Sequence, residues 1–259
     1  MFSKRYFYLV HLQYLGFRYS GWQQQPNVLT VERMVRRTIK YVLGHNNFKL
    51  LASGRTDAMV SAEVACVQLF LDDQPLDTEE FLPLFNENLP SDIRALSITE
   101  VDSNFNIIGA PKEKEYVYLF AFGMKAHPFS SSLMTTLAEP LDLKQMKLGA
   151  KLFEGAHDFI NYTYKPTENT KTEATVTLSE IVENTFYTAN FFPERSYAFR
   201  VKGKGFKRHQ IRLMMGALFE LGRANVDLDF IKETLQRGND IKLTLIAPAS
   251  GLILRDISF

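Results

Sequence analysis

Only one cysteine occurs in the 259 residues. Cys66 lies inside the apolar run 64–70, which excludes a disulfide framework and points to a reducing compartment. The five histidines, His11, His45, His127, His157 and His209, show no close ligand pairing, so no metal site is expected. No segment approaches the roughly 20 consecutive apolar residues of a membrane span, and Met1–Tyr6 lacks a basic leader before an apolar stretch. A soluble, cytoplasmic chain with no membrane partner is the expectation. Low-complexity tracts, heptads and short repeats are missing, as are G-x-S-x-G, Walker-type and G-x-G-x-x-G motifs. Hydrolase, NTPase and dinucleotide readings therefore have no local support.

Charge of one sign is also lacking overall: the formal net charge is +1. Its placement is uneven, with 10 Lys+Arg against 12 Asp+Glu in residues 1–110 and 20 against 17 in 111–259. More telling is 202–212, where Lys202, Lys204, Lys207, Arg208 and Arg212 occur without an acidic residue. Such a run is either a solvated face or a set of phosphate contacts.

What is present is a globular pattern long enough for one large domain or two packed halves. Residues 6–14 read as a strand, followed by a loop punctuated by Gly16, Gly21 and Pro26. Thr30 is a natural N-cap for a helix carrying Val31, Val35 and Ile39 and stopping at Gly44. Strands are expected at 47–53 and 64–71 around the loop 54–61, then a helix over 76–88 and a strand at 94–101. The second half replays this order: strand 116–122, helix 143–153, strands 175–183 and 197–202, helices 207–221 and 229–236, and a closing strand at 251–257. This predicts an α+β fold with duplicated halves, 1–105 and 106–259, helices covering one face of a largely antiparallel sheet.

The turn Gly54-Arg55-Thr56-Asp57-Ala58 between two expected strands presents Arg and Asp side by side. By itself it is equally a surface turn whose Asp caps backbone N–H groups. Its company gives it weight. Tyr14-Leu15-Gly16-Phe17-Arg18-Tyr19-Ser20-Gly21-Trp22-Gln23-Gln24-Gln25, Gly155–Phe159, Phe206–Gly216 and Ala247–Leu252 accompany it in order along the chain.

In these landmarks the sequence resembles the TruA family of tRNA pseudouridine synthases, across nearly the whole chain. The resemblance implies duplicated ferredoxin-like halves with an RNA-binding cleft, and isomerisation of uridine to pseudouridine in the anticodon stem-loop of tRNA. It also implies a homodimer and no small-molecule cofactor. The family's catalytic aspartate falls on Asp57, the base-stacking tyrosine on Tyr116, the arginine pairing with the aspartate on Arg212, and a pocket wall on Leu252. Arg55 would fill the gap left by the base or clamp a phosphate, and Lys202, Lys204, Lys207 and Arg208 would hold the RNA backbone. His157 and Asp158 are read as bracing residues.

The departures cluster on the RNA side. Leu15 stands where the family has Asp, Met59 and Ser61 replace Gly and His after the catalytic turn, and Phe105-Asn106-Ile107-Ile108 lacks the His and Arg of F-H-A-R. A synthase acting on another RNA site, or an RNA-binding protein without turnover, would carry the same departures. A hydrolase using Asp57 as base would need a second positioned carboxylate or a metal near the turn.

Uridine becomes pseudouridine by breaking N1–C1′, rotating the base and rejoining at C5, with no redox step. A carboxylate can attack C1′ or add at C6, and can take up a proton. A guanidinium beside it satisfies its lone pairs and keeps it ionised. The stacked target base has to be flipped out, and an aromatic platform recovers part of that cost.

Overall fold

The computed structural model describes residues 4–72, 74–239 and 241–259. The chain divides into two compact units, Met1–Lys112 with Leu254–Phe259, and Glu113–Ile253.

The first unit runs β1 (Arg5–Tyr14), α1 (Val31–Leu43), β2 (Phe48–Ala52), β3 (Ser61–Asp72), α2 (Thr78–Asn88), β4 (Ile93–Glu100). β3 lies between β1 and β2, and β4 flanks β1, all antiparallel. This is the β-α-β-β-α-β order of a ferredoxin-like unit. Register is fixed by burial: Val10 sits opposite both Val67 and Ile98, and all three are buried. Buried Gln68 of β3 is tolerated because its amide is used, donating to Phe105 O and accepting from Ile107 N. The limits of α1 follow its sequence. Thr30 accepts from Arg33 N, Gly44 adopts φ 75, and Val31, Val35 and Ile39 face the core.

The second unit runs β5 (Glu113–Phe122), β6 (Thr135–Leu137), α3 (Leu143–Lys151), β7 (Gly155–Asp158), β8 (Glu173–Glu183), β9 (Tyr197–Gly203), α4 (Gln210–Gly222), α5 (Leu228–Thr234). The final strand is β10 (Leu252–Ser258). β5, β9, β8 and β7 are successive antiparallel neighbours, and β6 runs parallel to its partner β5. With the short β6 and β7 set aside, β5 lies beside β9 and β9 beside β8, as β1 lies beside β3 and β3 beside β2, so the α+β class and the duplication are both present.

Two details depart from the sequence pattern. The long helix begins at Gln210, three residues later than expected, because His209 takes a left-handed φ of 57 that a continuing helix forbids. Nor is it a one-sided amphipathic helix: only Arg212 and Glu220 of its 13 residues escape burial. Its small residues permit this, since a Cβ on Gly216 would sit 2.0 Å from Leu245 O. Phe219 packs edge-on against Tyr118 and Phe120 of β5, at 6.2 and 5.7 Å. Among the described residues no helix is long and apolar enough to cross a membrane.

Candidate active site

The loop that follows β1 holds the turn between β2 and β3. Trp22 N donates to Thr56 O at 3.1 Å, Met59 N donates to Tyr19 O at 3.0 Å, and Gly16 N donates to Ser61 Oγ at 2.9 Å. The hydroxyls of Tyr14 and Thr56 share a hydrogen bond of 2.8 Å. The two backbones touch. Gly21, at φ +90, would place a Cβ 2.8 Å from Thr56 O, and Gly16 one 2.0 Å from Val60 O. Tyr14, Tyr19 and Trp22 are all buried. The two landmarks distant in sequence therefore form one object, and each of its hydrogen bonds is worth about 0.5–1.5 kcal/mol net. Asp57 is half-buried at the start of the turn and Arg55, two residues earlier, is exposed; the Asp57 carbonyl accepts from Val60 N at 3.2 Å, which closes the turn.

The loop is anchored in turn. Tyr19 OH and Arg18 Nη2 donate to Asp92 Oδ1 at 2.7 and 2.9 Å. Burial works against the Asp92 charge, but the hydrogen bonds from Arg18 and Tyr19 outweigh it and hold the carboxyl below the usual range. Val31 N and Glu32 N, the first amides of α1, donate to Gly21 O and Trp22 O. The exposed donors of the helix N-terminus thus grip the same loop from the other side.

In the second unit, Tyr116 lies on β5 opposite Val201, half-buried, its ring edge-on to Phe206 at 5.4 Å. Arg212 is half-buried on α4. Its Nε donates to Ala247 O at 2.8 Å, and Ala247 N returns a bond to Arg212 O at 3.1 Å. The Ala247–Leu252 segment thus clasps the guanidinium stem at its own helix position. Tyr118 OH ties the same segment to β5 by donating to Pro248 O at 2.8 Å. Burial pushes the Tyr118 phenol up, opposed by the Thr135 hydroxyl and the Arg212 charge. Leu252, buried, opens β10.

The four cations ahead of α4 differ in their surroundings. Lys202 lies 3.5 Å from Glu115 and 3.7 Å from Glu113. Lys204 is exposed in the turn after β9, and burial lowers the Lys207 ammonium from its ordinary value. Arg208 is exposed, its guanidinium 5.0 Å over the Tyr164 ring, which stacks on His209 at 4.5 Å. His157 and Asp158 bond locally, to Glu154 O and from Ile160 N. Among the described residues no group of three or more His, Cys, Asp or Glu could hold a metal.

Three of the departures from the family landmarks can be placed in the structure. Ser61 is buried and uses its hydroxyl on Gly16 N. Met59 occupies φ 66, a left-handed conformation that Gly adopts without penalty. Ile108, where the family has Arg, is 68% exposed, an apolar side chain at a surface position. Sequence reasoning did not single out Tyr14, Gly16 or Tyr118 as supports. The two-residue spacing of Tyr116 and Tyr118 on one strand face was the available signal for the last.

Known proteins resemble this chain over most of its length. The tRNA pseudouridine synthase family pattern matches residues 11–108 and 150–259. A "tRNA pseudouridine synthase A" of Pelobacter propionicus is 32% identical over 248 residues, covering 96% of this chain and 97% of the other. One of Exiguobacterium sibiricum is 31% identical, covering 96% and 94%. A "tRNA pseudouridine synthase A 2" of Bacillus cereus is 29% identical over 254 residues, covering 97% and 99%. The chain therefore belongs to the tRNA pseudouridine synthase family, the TruA family that its landmarks resemble.

Proposed function

We propose that the protein isomerises uridine to pseudouridine in the anticodon stem-loop of tRNA, without a cofactor, as a cytoplasmic homodimer. The observation that carries the reading is the Asp57 turn, backed residue for residue by the Tyr14–Trp22 loop, in a chain that belongs to a synthase family. A carboxylate at the start of a turn fixed from behind is placed to act on a base brought to it.

In this reading Asp57 attacks C1′ or adds at C6, the N1–C1′ bond breaks, and the base rotates. C5 then bonds to C1′, displacing Asp57 if it is held there, or the Asp57–C6 bond breaks afterwards if it added at C6; the C5 proton leaves and N1 gains a proton, so the carboxylate is regenerated and atoms balance without an oxidant. Tyr116 stacks on the flipped uracil, Leu252 walls the pocket, and Arg212 pairs with the Asp57 carboxylate. Arg55 takes the space vacated by the base or clamps a phosphate. Lys204, Lys207 and Arg208 hold phosphates, and Lys202 reaches one by exchanging its glutamate partners.

Asp57→Asn and Asp57→Ala are expected to abolish turnover of unmodified tRNA while keeping the melting temperature and tRNA affinity of the wild type. Turnover by either variant would remove Asp57 from the chemistry. Tight tRNA binding by a wild-type protein that makes no pseudouridine would instead indicate an RNA-binding protein.

A further inference from the structure

α1 carries a cationic stripe that the reaction does not use. Arg33, Arg36, Arg37 and Lys40 stand at i, i+3, i+4 and i+7, the spacing that aligns side chains on one helix face. Arg33, Arg37 and Lys40 are exposed, whereas Val31, Val35, Thr38 and Ile39 turn to the core. The stripe, with Gln24 and Asn27 of the preceding loop, lines an open groove of about 840 Å³. Among the described residues no acidic side chain lines the groove, and neither Arg37 nor Lys40 makes an ion pair. Arg36 is tied down by Glu32 at 2.9 Å and by Leu50 O at 3.1 Å, and Arg33 Nη1 donates to Val28 O at 3.3 Å.

Folding alone does not account for such a face. Like charges three and four apart on a helix repel and destabilise it, so the helix carries the stripe at a cost. A local conflict of this kind is expected where a surface binds something. Four cations on eight residues span roughly 10 Å along the axis, the reach of two or three consecutive phosphates. An open, shallow shape suits a chain running along it rather than an enclosed small molecule, and the amides of Gln24 and Asn27 offer neutral donors to the same backbone. Position supports the same occupant. Gln24 N donates to Glu32 Oε2 at 2.9 Å, and the loop it belongs to carries Trp22, which holds Thr56.

We propose that this groove binds a second stretch of the substrate RNA's phosphodiester backbone, distinct from the nucleotide presented to Asp57. The inference rests on the synthase reading for the identity of the RNA. Held here, the backbone would be read by charge and shape, not by base identity. Each phosphate engaged also raises the salt sensitivity of tRNA binding.

The test compares Arg37→Ala/Lys40→Ala with a control pair of equal charge change, Lys144→Ala/Lys147→Ala on α3, whose lysines are exposed. Affinity for one unmodified tRNA is measured by titration at several salt concentrations, alongside KM, kcat and thermal melts. The groove variant is expected to bind on the order of tenfold more weakly and to lose roughly 1.4–1.8 units of the log–log salt slope. Its kcat should be kept and its melting temperature should not fall. Arg37→Lys/Lys40→Arg should restore affinity, since a phosphate contact needs the charge. Wild-type affinity and slope in the groove variant, or an equal loss in the α3 control, would overturn the proposal. A wild type that binds tRNA without forming pseudouridine would instead refute the synthase reading, and the same titrations would still judge the groove.

Discussion

Substituting Gly16 by alanine should damage catalysis through a residue that touches no substrate. The new Cβ would lie 2.0 Å from Val60 O and 2.3 Å from Val60 C, where ordinary contact begins at 3.4 Å, so the two backbones must part by about 1.4 Å. The neighbour is backbone, so no rotamer change relieves the clash. Overpacking of this kind costs about 1–3 kcal/mol of stability. The displaced segment is the turn bearing Asp57, and a misplacement near 1 Å costs roughly 10²-fold in rate. Gly44→Ala is the control: at φ +75 it is strained, by about 1–2 kcal/mol, but nothing lies within 4 Å and no turn moves. The assay is release of tritium from tRNA labelled at uridine C5, at saturating RNA, with parallel thermal melts. Gly16→Ala should lose kcat about a hundredfold while Gly44→Ala loses stability alone. Equal kcat in the two variants would refute the idea that the Tyr14–Trp22 loop sets the position of the proposed catalytic carboxylate.

The remaining predictions divide the site by role. Arg212→Ala should lower kcat by about 10²-fold or more at saturating tRNA, whereas Arg208→Ala should raise KM and flatten the salt slope by somewhat under one unit; steady-state kinetics at several salt concentrations checks both. Asp92, whose folded-state carboxyl is lowered by Arg18 and Tyr19 against its burial, contributes stability above its unfolded value near 3.9. That contribution is lost as pH falls through the lower folded value, so the melting-temperature gap between wild type and Asp92→Asn should be full at neutral pH and close below about pH 4. Activity should survive EDTA treatment followed by return of the Mg²⁺ that the RNA requires; a loss rescued only by a transition metal would contradict the cofactor-free chemistry.

Much of the fold was legible because local rules and burial agree. Thr30, the Val31/Val35/Ile39 spacing and Gly44 delimit α1 in the sequence as in the structure, and β1 announces itself by its aromatic and branched residues. β6 and β7, with three and four residues, are too short to carry a period and exist only because β5 and β8 offer partners. The start of α4 was hidden by the left-handed His209, a backbone choice that residue identity does not dictate. At the candidate site, motifs single out Asp57 and Arg212 as the proposed reacting residues, but the supports were invisible. That Gly16 must be glycine follows from a backbone 44 residues away, and the clasp of Arg212 comes from a carbonyl on Ala247, an atom every residue possesses.

The central claim is tested most directly by incubating the protein with unmodified tRNA and mapping pseudouridine at single-nucleotide resolution, with Asp57→Asn in parallel. The account predicts new pseudouridine confined to the anticodon stem-loop with the wild type and none with the variant. Pseudouridine elsewhere in the tRNA, or equal modification by Asp57→Asn, would contradict it.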